Sequence, residues 1–388
     1  MKNKVICFAI AFILFVSGRG LFVLAEEPDD TYRSEAYVLM EASTGKIIKS
    51  KNADTRLRPA SITKIMTLLL IFEALDDGRI HYEDKVSVSD HAASMGGSQV
   101  YLEPYETQSV QDMIKCISIA SANDASVAMA EHLAGSEEQF VQLMNAKAAQ
   151  LGMNNTHFVN CYGLDTDGHY TTAMDVALMS RELITKHSDI FRFSTIWMDS
   201  ITHVTKKGSS EFGLSNTNKL LKSYQGITGL KTGSTGLAKY CLSATARRND
   251  MDLIAVIMAA PDTKTRFAEA AELLNYGFAN SSVYKHSVEE NTLPKIPLVG
   301  GLDEEVQLRQ ESMFSYLLTN GEDAGKISQE IICEPVCEAP VAFGQVLGKI
   351  RYLYQGNEIG TVNLVSASEY ERADFFDIMK IVIQDFFG

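Results

Sequence analysis

The chain has 388 residues, with 35 lysines and arginines against 49 aspartates and glutamates and a formal net charge of −14. Nucleic-acid affinity comes largely from neutralising phosphates with basic side chains, so a balance this acidic excludes a nucleic-acid partner. A single hydrophobic core stops growing at about 250–300 residues, so the length predicts two domains.

Taken in chain order, the first element is a leader. Lys2 and Lys4 precede an apolar run from Val5 to Val16, and Val23-Leu24-Ala25 ahead of Glu26 fits a small-residue cleavage site. Residues 1–25 therefore read as a signal peptide, which predicts an exported protein. Ala36 to Met40 and Ile47 to Ser50 predict paired strands around a turn at Ser43-Thr44-Gly45. Apolar residues at helical spacing then predict helices over Ile62 to Asp77, Val110 to Ala120, Asp124 to Leu133, Glu138 to Gln150 and Thr172 to Lys186, the last capped by Thr171 or Thr172. Two strands, Tyr240 to Ala246 and Leu253 to Met258, and a closing helix from Arg266 to Phe278 complete an α/β domain with an antiparallel sheet over residues 31–280.

Beyond about Val283 the pattern changes. Val306 to Leu308, Ile331 to Cys333, Lys349 to Tyr354 and Thr361 to Val365 are short strand-like runs, with a tight hairpin at Gly356-Asn357. These predict a small all-β domain over residues 285–368, a pedestal or a contact surface. Residues 369–388 place Phe375, Met379, Val382 and Phe386 at helical spacing among charged residues. That amphipathic helix either docks on the β domain or lies in the outer face of a membrane, and the apolar width of its face favours peripheral membrane contact.

Cysteines and metal motifs say little. Without Cys7 the count is odd, which argues against a full disulfide framework, although Cys333 and Cys337 are close enough in sequence to pair. The histidines are dispersed and no H-E-x-x-H or paired C-x-x-C occurs, so neither metal nor cofactor is expected. Leu230 stands where a phosphate loop needs glycine before its lysine, so Lys231-Thr232 is no phosphate loop.

The chemistry sits in three short motifs in order: Ser61-Ile62-Thr63-Lys64, Ser121-Ala122-Asn123 and Lys231-Thr232-Gly233. S-x-x-K also occurs at Ser43 and Ser282, but Ser43 falls in a hairpin turn and Ser282 in a polar stretch. Ser61 alone opens a helical run. Residues three apart share a helix face, so Lys64 can reach the Ser61 hydroxyl. A serine attacks only when a base removes its proton, and lysine is a base only when neutral. Burial and a second cation, Lys231, would both lower the Lys64 pKa, and Asn123 could hold its amine. The Ser61 N–H at a helix start suits an oxyanion.

This motif set is that of penicillin-binding proteins and serine β-lactamases. The chain resembles the low-molecular-mass penicillin-binding proteins, the D-alanyl-D-alanine carboxypeptidases of peptidoglycan. The resemblance extends to Pro59-Ala60 before Ser61, to Ser121 through Ala125, to Gly163-Leu164-Asp165 with His169-Tyr170-Thr171-Thr172-Ala173, and to Lys231 through Ala246. It implies Ser61 as nucleophile, Lys64 as base, Ser121 as proton relay and Asn123 as orienting group. It further implies Lys231 and Thr232 on the substrate carboxylate beside Gly233, with the Ser234 N–H completing the oxyanion hole. The implied substrate is a stem peptide ending in D-Ala-D-Ala, with β-lactams as covalent inhibitors; helices would cover both sheet faces. The Ser94–Ser98 loop is a candidate border of that site. Many relatives have arginine between two asparagines where this chain has Asn216-Thr217-Asn218, which leaves a third carboxylate partner open, Arg266 being one candidate.

Three other readings compete. A DD-endopeptidase or transpeptidase would use the same residues. A class A β-lactamase needs a glutamate in an E-x-x-L-N pattern between the second and third motifs, and Glu272-Leu273-Leu274-Asn275, one residue short of that pattern, lies after Lys231. A non-catalytic penicillin-binding protein predicts a damaged motif, and none is damaged.

Overall fold

The computed structural model describes residues 32–377 and Met379; the leader at 1–25 and the chain beyond 379 lie outside them. A five-stranded antiparallel sheet in the order β2-β1-β9-β8-β7 is the centre of the first domain. Its strands are β1 (Ala36–Glu41), β2 (Ile47–Lys51), β7 (Ile227–Thr235), β8 (Lys239–Arg248) and β9 (Met251–Ala260). The β1 strand is buried throughout, so both faces are covered, and side chains alternate between two layers. Val38, Met40, Ile254 and Val256 belong to the main core. On the other face, Leu39 and Leu253 lie under Gly277 of α9 (Thr263–Asn280).

The main core is filled by α1 (Lys64–Asp76), α3 (Val110–Ser118), α4 (Asn123–Ala134), α5 (Glu137–Gln150) and α6 (Ala173–Lys186). One-turn helices α2 (Asp90–Ala93), α7 (Phe191–Ser194) and α8 (Leu220–Ser223) and a short ladder of β3 (Lys85–Ser87) with β4 (Thr107–Ser109) complete this lobe. Hydroxyl caps fix the helix starts: Ser109 accepts from the Asp112 N–H and Thr172 from the Asp175 N–H, each at 3.0 Å. Thr172, not Thr171, is therefore the cap of α6. The α1 helix begins at Lys64, two residues later than the apolar period predicts, because residues Ala60–Thr63 form a tighter 3₁₀ turn.

An antiparallel hairpin of β5 (Met198–Thr205) and β6 (Gly208–Ser215) was not expected from sequence. The second domain is all-β, as expected, with β10 (Ser281–His286), β11 (Ile296–Val299), β12 (Glu305–Val306), β13 (Leu308–Gln310), β14 (Phe314–Thr319), β15 (Ile327–Cys333), β16 (Cys337–Glu338), β17 (Val346–Tyr354) and β18 (Asn357–Ser366). Its largest sheet runs β13-β18-β17-β15. The β17–β18 turn is Gln355-Gly356, one residue earlier than predicted, and both residues have positive φ (51° and 82°), the geometry of a two-residue type I′ hairpin. Cys333 and Cys337 are free thiols, as are Cys116, Cys161 and Cys241.

The chain after Ser368 first completes this domain. Tyr370 is buried in its core, pairs with Val341 and accepts the Gln307 N–H at its hydroxyl. Only at Phe375 does helical backbone begin, with Phe375 and Phe376 exposed. No described helix is long and apolar enough to cross a membrane.

Candidate active site

Ser61 sits in the 3₁₀ turn that feeds α1, and two close approaches hold that turn. Gly163, at φ 93°, passes so near that a Cβ there would stand 1.9 Å from the Ala60 carbonyl oxygen. From the other side, a Cβ on Gly233 would meet the Ser61 nitrogen at 2.9 Å. Neither position has room for a side chain. Below the turn, the His169 Nδ1 accepts the Val159 N–H, so its proton is on Nε2, which bonds the Thr63 hydroxyl at 2.8 Å; Thr63 in turn donates to the Ala60 carbonyl at 2.9 Å. Burial first, with the positive charge of nearby groups, pushes His169 down to about 4, which keeps this relay neutral. His169 was visible in the sequence only as part of a family-like stretch, without a role.

The Lys64 amine is fully buried and has three partners: Ser61 Oγ at 3.2 Å, Asn123 Oδ1 at 2.6 Å and the Tyr162 carbonyl at 2.7 Å. Two of them only accept. A neutral amine has two N–H bonds for these and one lone pair, which then faces the hydroxyl of Ser61. Burial lowers its pKa to about 7. The second cation acts differently from expectation: the repulsion between the lysines weighs on Lys231, whose pKa falls well below normal through burial first, then Lys64, then Arg266.

The second motif supplies a bridge. Ser121 has φ 62°, a strained value for serine, and Asn123 starts α4. Lys231 Nζ donates to Ser121 Oγ at 2.8 Å and to the Thr232 carbonyl at 3.1 Å. Asn123 Nδ2 donates to the Gly96 carbonyl and its backbone N–H to Ser98, both at 2.7 Å, so the Ser94–Ser98 loop does border the site. Ser61, Lys64 and Asn123 thus form one chain of polar contacts and Ser121 and Lys231 a second, the two joined by the short backbone of the Ser121–Asn123 motif and with the lysines close enough to repel each other.

Lys231, Thr232, Gly233 and Ser234 lie on β7, the edge strand of the sheet, with Ser234 exposed. Thr217 Oγ1 is 2.5 Å from Thr232 Oγ1. Arg266 is buried; its Nη1 donates to the Gly233 and Cys241 carbonyls at 3.0 and 3.2 Å, so it braces β7 and β8 rather than standing in solvent. Glu272 is exposed on α9 and Asn275 accepts a hydrogen bond from Tyr224, away from the motif chain. The described residues contain no His/Cys/Asp/Glu group able to hold a metal ion.

Known proteins resemble this chain in sequence and fold. The family model described as D-alanyl-D-alanine carboxypeptidase matches residues 23–262, and the model for the C-terminal domain of penicillin-binding protein 5 matches residues 282–372. The D-alanyl-D-alanine carboxypeptidase DacF of Bacillus subtilis is 42% identical over 354 residues, 91% of this chain and 90% of that protein. Penicillin-binding protein 5 of Haemophilus influenzae superposes with a TM-score of 0.74 at 30% identity, covering 88% of this chain and 98% of that one. Penicillin-binding protein D2 of Listeria monocytogenes, solved in its ampicillin-bound form, matches with a TM-score of 0.57 at 32% identity over 65% of this chain and all of that one. On sequence and fold alike, this chain belongs to the D-alanyl-D-alanine carboxypeptidase family.

Proposed function

We propose that this protein is a serine-type D-alanyl-D-alanine carboxypeptidase that removes the terminal D-alanine of peptidoglycan stem peptides through an acyl-enzyme on Ser61. The observation that carries this reading is the buried Lys64 amine, with its pKa near 7 and its one unspent direction toward the Ser61 hydroxyl. Lys64 takes the Ser61 proton as Oγ attacks the penultimate D-alanine carbonyl. The Ser61 and Ser234 N–H groups receive the oxyanion. Ser121, hydrogen-bonded to Lys231, delivers a proton to the departing D-alanine amine and regains one from protonated Lys64, which returns to its neutral form. The ester on Ser61 is then cleaved by water, with Lys64 again accepting a proton.

Lys231 and Thr232 bind the terminal carboxylate. That assignment fits the charge: a buried lysine held below its usual pKa gains most from an incoming anion. Asn123 steadies Lys64 and the substrate amide. β-Lactams, which present a carboxylate beside a strained amide, acylate the same serine; ampicillin occupies the Listeria relative. The enzyme is exported, and the helix that begins at Phe375 rests on the outer membrane surface.

Incubation with a synthetic peptide ending in D-Ala-D-Ala separates the reactions. Free D-alanine without cross-linked product is the expected result. Transfer to an amine acceptor in preference to water would make the enzyme a transpeptidase, and no turnover by a folded protein would leave only a binding role.

A further inference from the structure

We infer that Thr217 is a positioning residue for the substrate carboxylate, acting through the hydroxyl of Thr232; this rests on the carboxylate reading of Thr232 above. The observation is the 2.5 Å contact between the two hydroxyl oxygens. A carboxylate has only acceptor atoms, so Thr232 must donate its one proton to it. Thr232 can then meet Thr217 only as an acceptor, and Thr217 must be the donor. A bound carboxylate therefore fixes the direction of the bond, and each hydroxyl polarises the next. The same contact restrains the Thr232 side chain before substrate arrives.

The surroundings are built to present this one hydroxyl. Asn216 and Asn218 on either side are buried, while Thr217 is exposed. The Asn216 amide donates to the Ile196 carbonyl at 2.9 Å and its Oδ1 accepts the Asn218 N–H at 2.9 Å. Asn218 Nδ2 reaches across to the Gly229 carbonyl of β7 at 3.0 Å, and its Oδ1 accepts the Leu220 N–H. The turn is thus clamped at Gly229 to the strand that carries Thr232 three residues on. The asparagines make the structure; Thr217 contributes nothing to the core. A threonine here does by relay what a longer cationic side chain would do by direct contact.

The test compares Nα,Nε-diacetyl-L-Lys-D-Ala-D-Ala with its C-terminal carboxamide on the wild type, Thr217→Val, Thr217→Ser and Thr232→Val. Losing one hydrogen bond's net contribution predicts that Thr217→Val raises KM about three- to tenfold on the carboxylate substrate with kcat little changed. It should leave the carboxamide unaffected. Thr217→Ser should restore wild-type values, and combining Thr217→Val with Thr232→Val should add little to Thr232→Val alone. Equal effects of Thr217→Val on both substrates, or none on either, overturn the inference. If Thr232→Val itself fails to discriminate the two substrates, the carboxylate reading of Thr232 has failed instead.

Discussion

At the scale of single residues, burial lowers the pKa of two bases, Lys64 and His169, with different consequences. Lys64 titrates near 7, so its neutral fraction rises from about one tenth at pH 6 to about nine tenths at pH 8. The acylation rate constant should therefore rise roughly tenfold across that range and then level, measured by stopped-flow with a chromogenic β-lactam. Lys64→Arg, which cannot lose its proton at these pH values, should be inactive at all of them. A flat profile, or an active arginine variant, would remove Lys64 from the role of base. His169 makes a stability prediction instead. Its folded pKa, about 4, lies below the ordinary value of 6.5, so between these pH values the unfolded chain binds a proton that the folded one does not. Stability must fall as pH drops from 6.5 toward 4, and His169→Gln should flatten that part of the denaturation curve relative to wild type.

At the scale of elements, two glycines set how closely the strand and the loop press on the nucleophile turn. Gly163→Ala puts a Cβ 1.9 Å from a backbone oxygen at a φ of 93°, so it should destabilise by about 3 kcal/mol or more, read as a lower Tm. Gly233→Ala meets the Ser61 nitrogen at 2.9 Å on an edge strand that can shift. It should keep most of its stability while acylation drops on the order of a hundredfold, the usual cost of misplacing a reacting group by about 1 Å. Comparable losses of stability in both variants would mean that β7 is not free to move.

The elements also mark where the sequence was legible. The motif residues could be found because catalysis demands particular side chains at helical or strand spacing, and the structure bonds Lys64 to Ser61 and Asn123, and Lys231 to Ser121, at one site. Ser61 opens a 3₁₀ turn rather than α1, since apolar period reports burial and does not distinguish a tight first turn from an α-helical one. The β5–β6 hairpin escaped because its outer face is polar and its buried positions, Ile201, His203 and Leu214, are few; His203 packs against Phe212 and bonds buried Glu106 at 2.8 Å, a long-range pair that no local pattern carries. The sequence places Arg266 on the closing helix and does not show its burial, where two carbonyls of neighbouring strands accept its guanidinium. The contact of Thr217 with Thr232 was invisible for the same reason: it joins a turn to strand β7, and the two meet only in the fold.

At the scale of the whole molecule, all three catalytic motifs lie in the first domain and none in the β domain. Truncation is informative only if it spares Tyr370 and the pairing of Arg372 with Gly301, which close the second domain. A chain ending at Asp374 should keep full activity on soluble peptides while moving from the membrane to the soluble fraction. Unchanged partitioning would show that the terminal helix is not the anchor. The most direct test of the account is to locate the acyl group itself. Wild-type protein labelled with a β-lactam and mapped by peptide mass should have its adduct on Ser61, in the peptide that contains Lys64, and Ser61→Ala should take up none. An adduct on Ser43 or Ser282, or persistent labelling of Ser61→Ala, would contradict the assignment from which every other step follows.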